Sequence, residues 1–128
     1  MVNDREFAAV IALPAQERYG HFIKRVADSE QLWGLRSAEG WLLLGDDTNA
    51  DSFPVWPAER YAAAYAEAQG CEESPQAIDL DAWREELLPQ FLSDNVLVAV
   101  FPIPAGPGVV VTAEDHAAHL EHELQQYE

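Results

Sequence analysis

The segment Val96-Leu97-Val98-Ala99-Val100-Phe101 is apolar at every position and shows no alternation between two faces. A strand with that pattern needs cover on both sides, because an open face would leave its branched side chains in water. It is therefore expected at the centre of a sheet, with helices over at least one face, and the rest of the fold has to be arranged around it. Pro102 to Pro107 turns the chain, Gly108 allows close backbone approach, and Val109-Val110-Val111 is expected to return as a partner strand.

The remaining elements follow from periodicity and stop signals. Asn3 or Asp4 can cap a short helix over about 3–13 that ends at Pro14, peripheral to the main domain. Tyr19, Phe22, Ile23 and Val26 recur at helical spacing, which places Arg18, His21, Lys24 and Arg25 on the opposite, solvent face. From Gln31 the period shifts to two, and Leu32–Leu35 and Trp41–Leu44 are expected to pair across a four-residue loop, Ser37–Gly40. Gly45 to Ser52 reads as an exposed polar loop. Phe53-Pro54-Val55-Trp56 reads as a short strand that its prolines confine to an edge.

Pro57 opens a helix with Tyr61, Ala64, Tyr65 and Ala68 on one face, stopped by Gly70. Gln76-Ala77-Ile78 suits a further strand. Asp79 can cap a helix burying Leu80, Trp83, Leu87 and Phe91, which Pro89 should kink or divide. Thr112 and Asp115 resemble a capping box, followed by a stripe of Ala113, Ala117, Leu120, Leu124 and Tyr127. This order predicts one α+β domain over residues 1–128, with a mainly antiparallel sheet of roughly five or six strands packed with roughly four or five helices.

Charge bears on partners. Met1 to Arg36 hold five acids and five bases, while Ser37 to Glu128 hold eighteen acids and two bases, giving a net charge of −16. Such a surface repels nucleic acid and anionic lipid and attracts cations within about 8 Å at physiological salt. It also keeps a protein soluble, so the same charge is compatible with general hydration. Nucleic-acid binding and membrane association are thus not expected. Cys71 is the only cysteine, which excludes an intrachain disulfide, and no apolar run approaches the length of a membrane span. A cytoplasmic protein is the expectation.

Motifs for chemistry are sparse. On the last helix Asp115, His119 and His122 fall within one arc at i, i+4, i+7, a spacing compatible with a divalent ion and equally with a solvated helix face. Glu72 and Glu73 beside Cys71 suppress its thiolate, and no Ser lies in a nucleophile turn. Ala105-Gly106-Pro107-Gly108 precedes a strand where a phosphate loop would precede a helix, so no cofactor is expected. Trp33, Trp41 and Trp56 cluster around the hairpin and the following strand. Beside Asp46, Asp47 and Asp51 they form the candidate interaction site for a basic protein, unless they pack the core.

Taken in order, Trp33-Gly34-Leu35, Gly40-Trp41, Phe53-Pro54-Val55-Trp56-Pro57, Ile78-Asp79-Leu80-Asp81, Val100-Phe101-Pro102 and Gly108-Val109-Val110-Val111 resemble the bacterial domain-of-unknown-function family numbered 2750, over about Tyr19 to Tyr127. The resemblance implies a small bacterial α+β domain and carries over no catalytic residues. Two functions are open on these grounds. One is a non-enzymatic module binding a cationic partner, as an immunity-like or antitoxin-like inhibitor would. The other is a small metal-dependent enzyme or metal binder built on Asp115, His119 and His122.

Overall fold

A computed structural model describes residues 3–45, 51–104, 106 and 108–126. Helix α1 (Asp4–Ile11) is capped by Asn3, whose side chain accepts from the Glu6 amide at 2.8 Å. Pro14 precedes α2 (Ala15–Ser29), which leads through Glu30 into β1 (Gln31–Ser37) and β2 (Gly40–Trp41). Then come β3 (Ser52–Val55), α3 (Glu59–Gln69) and β4 (Ser74–Asp79). One continuous helical segment follows, made of α4 (Leu80–Ala82), a π-helical turn (Trp83–Leu87) and α5 (Leu88–Asp94). The chain closes with β5 (Leu97–Val100), β6 (Val109–Val111) and α6 (Ala113–Gln125).

The fold is α+β, but its strands form two three-stranded sheets, β2-β1-β4 and β3-β5-β6, instead of the single mainly antiparallel sheet expected. The pair β3–β5 is parallel, with Phe53 opposite Val98 and Val55 opposite Val100. The intervening chain, with α3, β4 and the helical segment, is long enough for the crossover that a parallel pair requires. The two sheets meet at one antiparallel bridge, where the amides and carbonyls of Trp33 and Trp56 exchange hydrogen bonds of 2.9 and 2.8 Å. Proline explains why the ladder stops there. Ser52 and Trp56 donate outward to Leu44 and Trp33, and Pro54, at the position between them, has no N–H to give. The proline-limited strand is the edge strand that the sequence predicts, and it forms the seam between sheets.

β5 occupies the middle of its sheet, and Val98, Ala99 and Val100 are buried. Around it Phe53, Trp83 and Phe91 form a ring cluster with centroids 5.0 to 5.7 Å apart. Phe22, Val26, Leu35, Leu88 and Leu120 complete a single core with Trp56 and Phe101. Burying each of these large side chains contributes about 1.5–3 kcal/mol. Pro89 leaves its mark one turn early. Lacking an amide for the carbonyl four residues back, it follows a turn in which the Leu88 N–H reaches Trp83 instead.

Several local expectations are corrected. The hairpin loop is tighter than four residues: Ser37 pairs with Gly40, leaving Ala38 and Glu39 as the turn, and Gly40 takes φ 127°. The buried face of α3 is Tyr61, Ala62 and Ala66, while Ala64 and Tyr65 are half-buried and Ala68 is exposed. Alanines on every side of that helix leave its periodicity ambiguous. Most consequential is Arg18, expected in solvent but only 4% exposed. It lies four residues before Phe22, hence on the buried seam of α2. Its Nε donates to the Phe101 carbonyl at 3.2 Å and its Nη1 to the Leu13 carbonyl at 2.7 Å. Lys24 on the same helix is exposed, whereas His21 and Arg25 are half-buried.

Gly108 fits beneath the end of β5 so closely that a Cβ there would lie 2.0 Å from the Val100 carbonyl oxygen and 2.8 Å from the Pro102 nitrogen. Both are backbone atoms that cannot rotate aside. Gly108→Ala is therefore expected to destabilise the protein by about 3 kcal/mol or more, read as a lowered urea midpoint. A change within about 0.5 kcal/mol would contradict this packing.

Candidate functional site

A cleft of about 580 Å3 lies where α2 ends, β1 begins and α3 starts. Arg25 and Ser29 line it from α2, Gln31 and Trp33 from β1, and Pro57 to Arg60 with Ala63 from the first turns of α3. Its position follows from the seam, since the Trp33–Trp56 bridge sets the start of α3 beside the start of β1. Ala58, at the N-cap of α3, has no side chain able to accept from the first-turn amides, and Glu59 is the acid that faces their partial positive charge in that turn.

Helix α1 fixes the two guanidiniums at this cleft. Arg25 Nη1 pairs with Glu6 Oε2 at 3.2 Å, and Arg60 Nη2 pairs with Asp4 Oδ1 at 2.5 Å. The Arg60 guanidinium also lies 4.5 Å from the Phe7 ring centroid, and Phe7 stacks on Tyr61. Behind them, the Tyr61 hydroxyl and His21 Nε2 are buried without hydrogen-bond partners. Burial, with Glu6 nearby, pushes the Tyr61 hydroxyl up to about 12. Burial first, then Arg25, lowers His21, so its imidazole favours the neutral form.

A second polar group lies between the helical segment and α6. His116 is fully buried, and the Trp83 indole donates to its Nε2 at 3.1 Å. Nε2 is therefore the acceptor, which leaves the proton of the neutral ring on Nδ1, an atom without a partner. Burial, with His119 adding to it, pushes His116 down to about 3. Its neighbour His119 pairs through Nδ1 with the Tyr19 hydroxyl at 2.5 Å. Burial, with Asp115 nearby, pushes Tyr19 up to about 12.

The tryptophans expected to share an interaction surface are divided by the fold. Trp56 is fully buried, and its Nε1 donates to the Pro102 carbonyl at 2.7 Å, so it cannot anchor a partner. An indole with a buried N–H needs such an acceptor, and here the structural use has taken the ring. Trp41 is half-buried over Gly34 and Phe53, with the Arg36 guanidinium 5.2 Å from its ring. Trp33 is half-buried in the cleft wall. Asp51 is exposed, while Asp46 and Asp47 lie outside the described residues, as does Tyr127.

Asp115, His119 and His122 are all exposed on α6. Among the described residues no three His, Cys, Asp or Glu side chains are gathered closely enough to hold a metal ion. The Cys71 thiol is raised by burial and then by Glu73, which disfavours the nucleophilic thiolate. Among the described residues no helix is long and apolar enough to cross a membrane. Sequence reasoning missed the cleft, because Arg25, Trp33 and Arg60 are far apart in the chain. Its one legible signal is Pro57-Ala58, a helix start with no capping side chain.

The chain belongs to the family described as Protein of unknown function (DUF2750), which matches residues 19–120. That span includes every residue lining the cleft and excludes Asp4 and Glu6. No curated protein and no solved structure matches the chain.

The buried imidazole yields a pH test. His116 in the folded protein holds its proton more weakly than in the unfolded chain, where the ordinary value is 6.5. Its contribution to stability is therefore complete above that value and is lost as pH falls from 6.5 towards about 3. The slope approaches about 1.4 kcal/mol per pH unit. His116→Gln keeps an acceptor for Trp83 and removes the titration. Between pH 7 and 5 the native protein is expected to lose about 2 kcal/mol more in urea denaturation than His116→Gln does. Equal losses would show that the imidazole is not held neutral.

Proposed function

We infer that the protein is a non-enzymatic interaction module that docks a cationic protein, in the manner of an immunity-like or antitoxin-like inhibitor. The observation that carries this reading is where the ion pairs are. Both pairs among the described residues use acids of α1, Asp4 and Glu6. Among the described residues, the acids beyond residue 36 thus have no ion-paired base, and their field acts on whatever approaches.

Topology concentrates some of that field. The helical segment 80–94 and α6 pack together, and between them Asp81, Glu85, Glu86, Asp94, Glu114, Asp115 and Glu121 are exposed against one exposed guanidinium, Arg84. A shallow depression of about 180 Å3 lies between these helices, lined by Phe91, Leu92, Val96 and Ala113, and Leu92 is 49% exposed. An apolar depression with Glu114 in its lining, on helices that carry further exposed acids, suits docking in which electrostatics sets the encounter rate and apolar contact holds the complex. This face replaces the tryptophan surface expected from sequence, which the burial of Trp56 removes.

Affinity capture from the native cell, compared with a Glu85→Gln/Glu86→Gln/Glu114→Gln/Glu121→Gln variant, tests the reading. A basic protein is expected to bind the native chain at low salt and to leave at about 1 M salt, where the Debye length falls to about 3 Å. The variant should bind it at least about tenfold more weakly, chiefly through slower association. Capture that is unchanged in the variant, or insensitive to salt, would contradict the proposal.

A further inference from the structure

We propose that the hollow between α3, the outer face of the β3-β5-β6 sheet and the turn after β5 is a binding site for an uncharged carboxamide carried on an apolar ring. Its volume is about 310 Å3, within the range of roughly 300–1,000 Å3 typical of small-molecule sites and at the end that suits one or two rings. The hollow exists because of one small side chain. Ala99 is opposite Val110 in the ladder, and alternation along β5 points it away from Val98 and Val100, which belong to the core. In a strand otherwise made of Leu and Val, this alanine lines the hollow while only 2% exposed, so it forms the floor. Leu44, Ile103, Pro104 and Val110 add apolar walls, and Val110 is 51% exposed at the rim.

The lining sets the ligand class. Among the described residues that form it none carries a charge, in a chain whose net charge is −16. A charged ligand would give up hydration there without gaining an ion pair, a cost that a neutral ligand escapes. Tyr65 and Gln69 contribute polar side chains to the lining, and at i and i+4 they share one side of α3. Among the described residues neither of these side chains has a hydrogen-bond partner, whereas Ser52 Oγ is engaged by the Leu44 carbonyl at 3.4 Å. A phenol and a carboxamide can each donate and accept, so together they match a group with one carbonyl and one N–H. The Tyr65 ring packs on the buried Trp56 with centroids 5.2 Å apart, which holds it in place before a ligand arrives. Burial, with Cys71 adding to it, raises the Tyr65 hydroxyl from its ordinary value, so it stays a neutral donor. The hollow shares no lining residue with the depression at Leu92, so it stands apart from the acidic docking face.

The test is an NMR titration of the full chain with benzamide, followed through the Ala99 methyl group and the backbone amides of Gln69 and Val110. Benzamide is expected to shift these signals and saturate with a Kd of about 1 mM or tighter. Benzoate and benzylammonium place a negative or a positive charge on the same ring, and each should bind at least about tenfold more weakly. Tyr65→Phe keeps the ring against Trp56, removes the hydroxyl, and should raise Kd about fivefold. Ala99→Ile fills the floor and should abolish the shifts at Gln69 and Val110 while its own spectrum stays that of a folded protein. Should that variant not fold, Tyr65→Phe and the charge series decide the matter alone. The proposal is overturned if benzamide leaves these signals unmoved or moves only those of Trp33 and Glu59, or if either charged analogue binds as tightly. It is equally overturned if Tyr65→Phe binds like the native chain, or if folded Ala99→Ile still saturates with benzamide.

Discussion

At the end of β5 the chain passes through Phe101, a bulky buried residue held at φ 59°, in the left-handed region that such side chains avoid. A conformation of that kind costs about 1–3 kcal/mol and persists only where its surroundings over-determine it. Here two successive carbonyls are held by donors from distant parts of the chain. Phe101 accepts from Arg18 of α2, and Pro102 accepts from the indole of Trp56 at the end of β3. The Phe101 amide donates to Val55 at 2.8 Å, and its ring packs on Tyr61 with centroids 4.8 Å apart. Gly108 then closes beneath Val100. One turn therefore ties α2, β3, α3, β5 and the approach to β6.

This turn also decides what the rest of the surface offers. Burying a guanidinium against neutral carbonyls removes Arg18 from any surface role, and sealing Trp56 inside removes an anchor from the seam between the sheets. With α2 and α3 both fixed on Phe101, their ends enclose the Arg25–Trp33–Arg60 cleft, and the ion pairs from α1 hold the two guanidiniums in it. Of the acids left over, seven are exposed on the helical segment 80–94 and α6, while Glu59 lines the cleft itself.

The sequence made some of this legible. The uninterrupted apolar run at Val96–Phe101 announced the central strand, Pro54 announced an edge, and Pro89 announced a disturbed helix, because each is a local rule acting on local residues. Asn3, Gly70 and Thr112 mark helix ends for the same reason. What escaped was non-local. The parallel β3–β5 pair and the split into two sheets depend on which strands meet after a long crossover, and that is set by packing that no period encodes. Arg18 looked solvated because charge suggests water, yet its place four residues before Phe22 put it on the buried seam. The cleft was invisible for a related reason, since three elements contribute to it and none carries a recognisable motif.

Whether Arg18 and Trp56 act jointly on the Phe101–Pro102 turn is the most direct question for this account. A double-mutant cycle with Arg18→Met and Trp56→Phe, read by urea denaturation, isolates their coupling. Each side chain satisfies one of two adjacent carbonyls, so once the first is lost and the turn relaxes, losing the second should cost less. The account expects a coupling energy of about 1 kcal/mol or more. Single-variant losses that add to within about 0.3–0.5 kcal/mol would contradict it, showing that the two donors act independently.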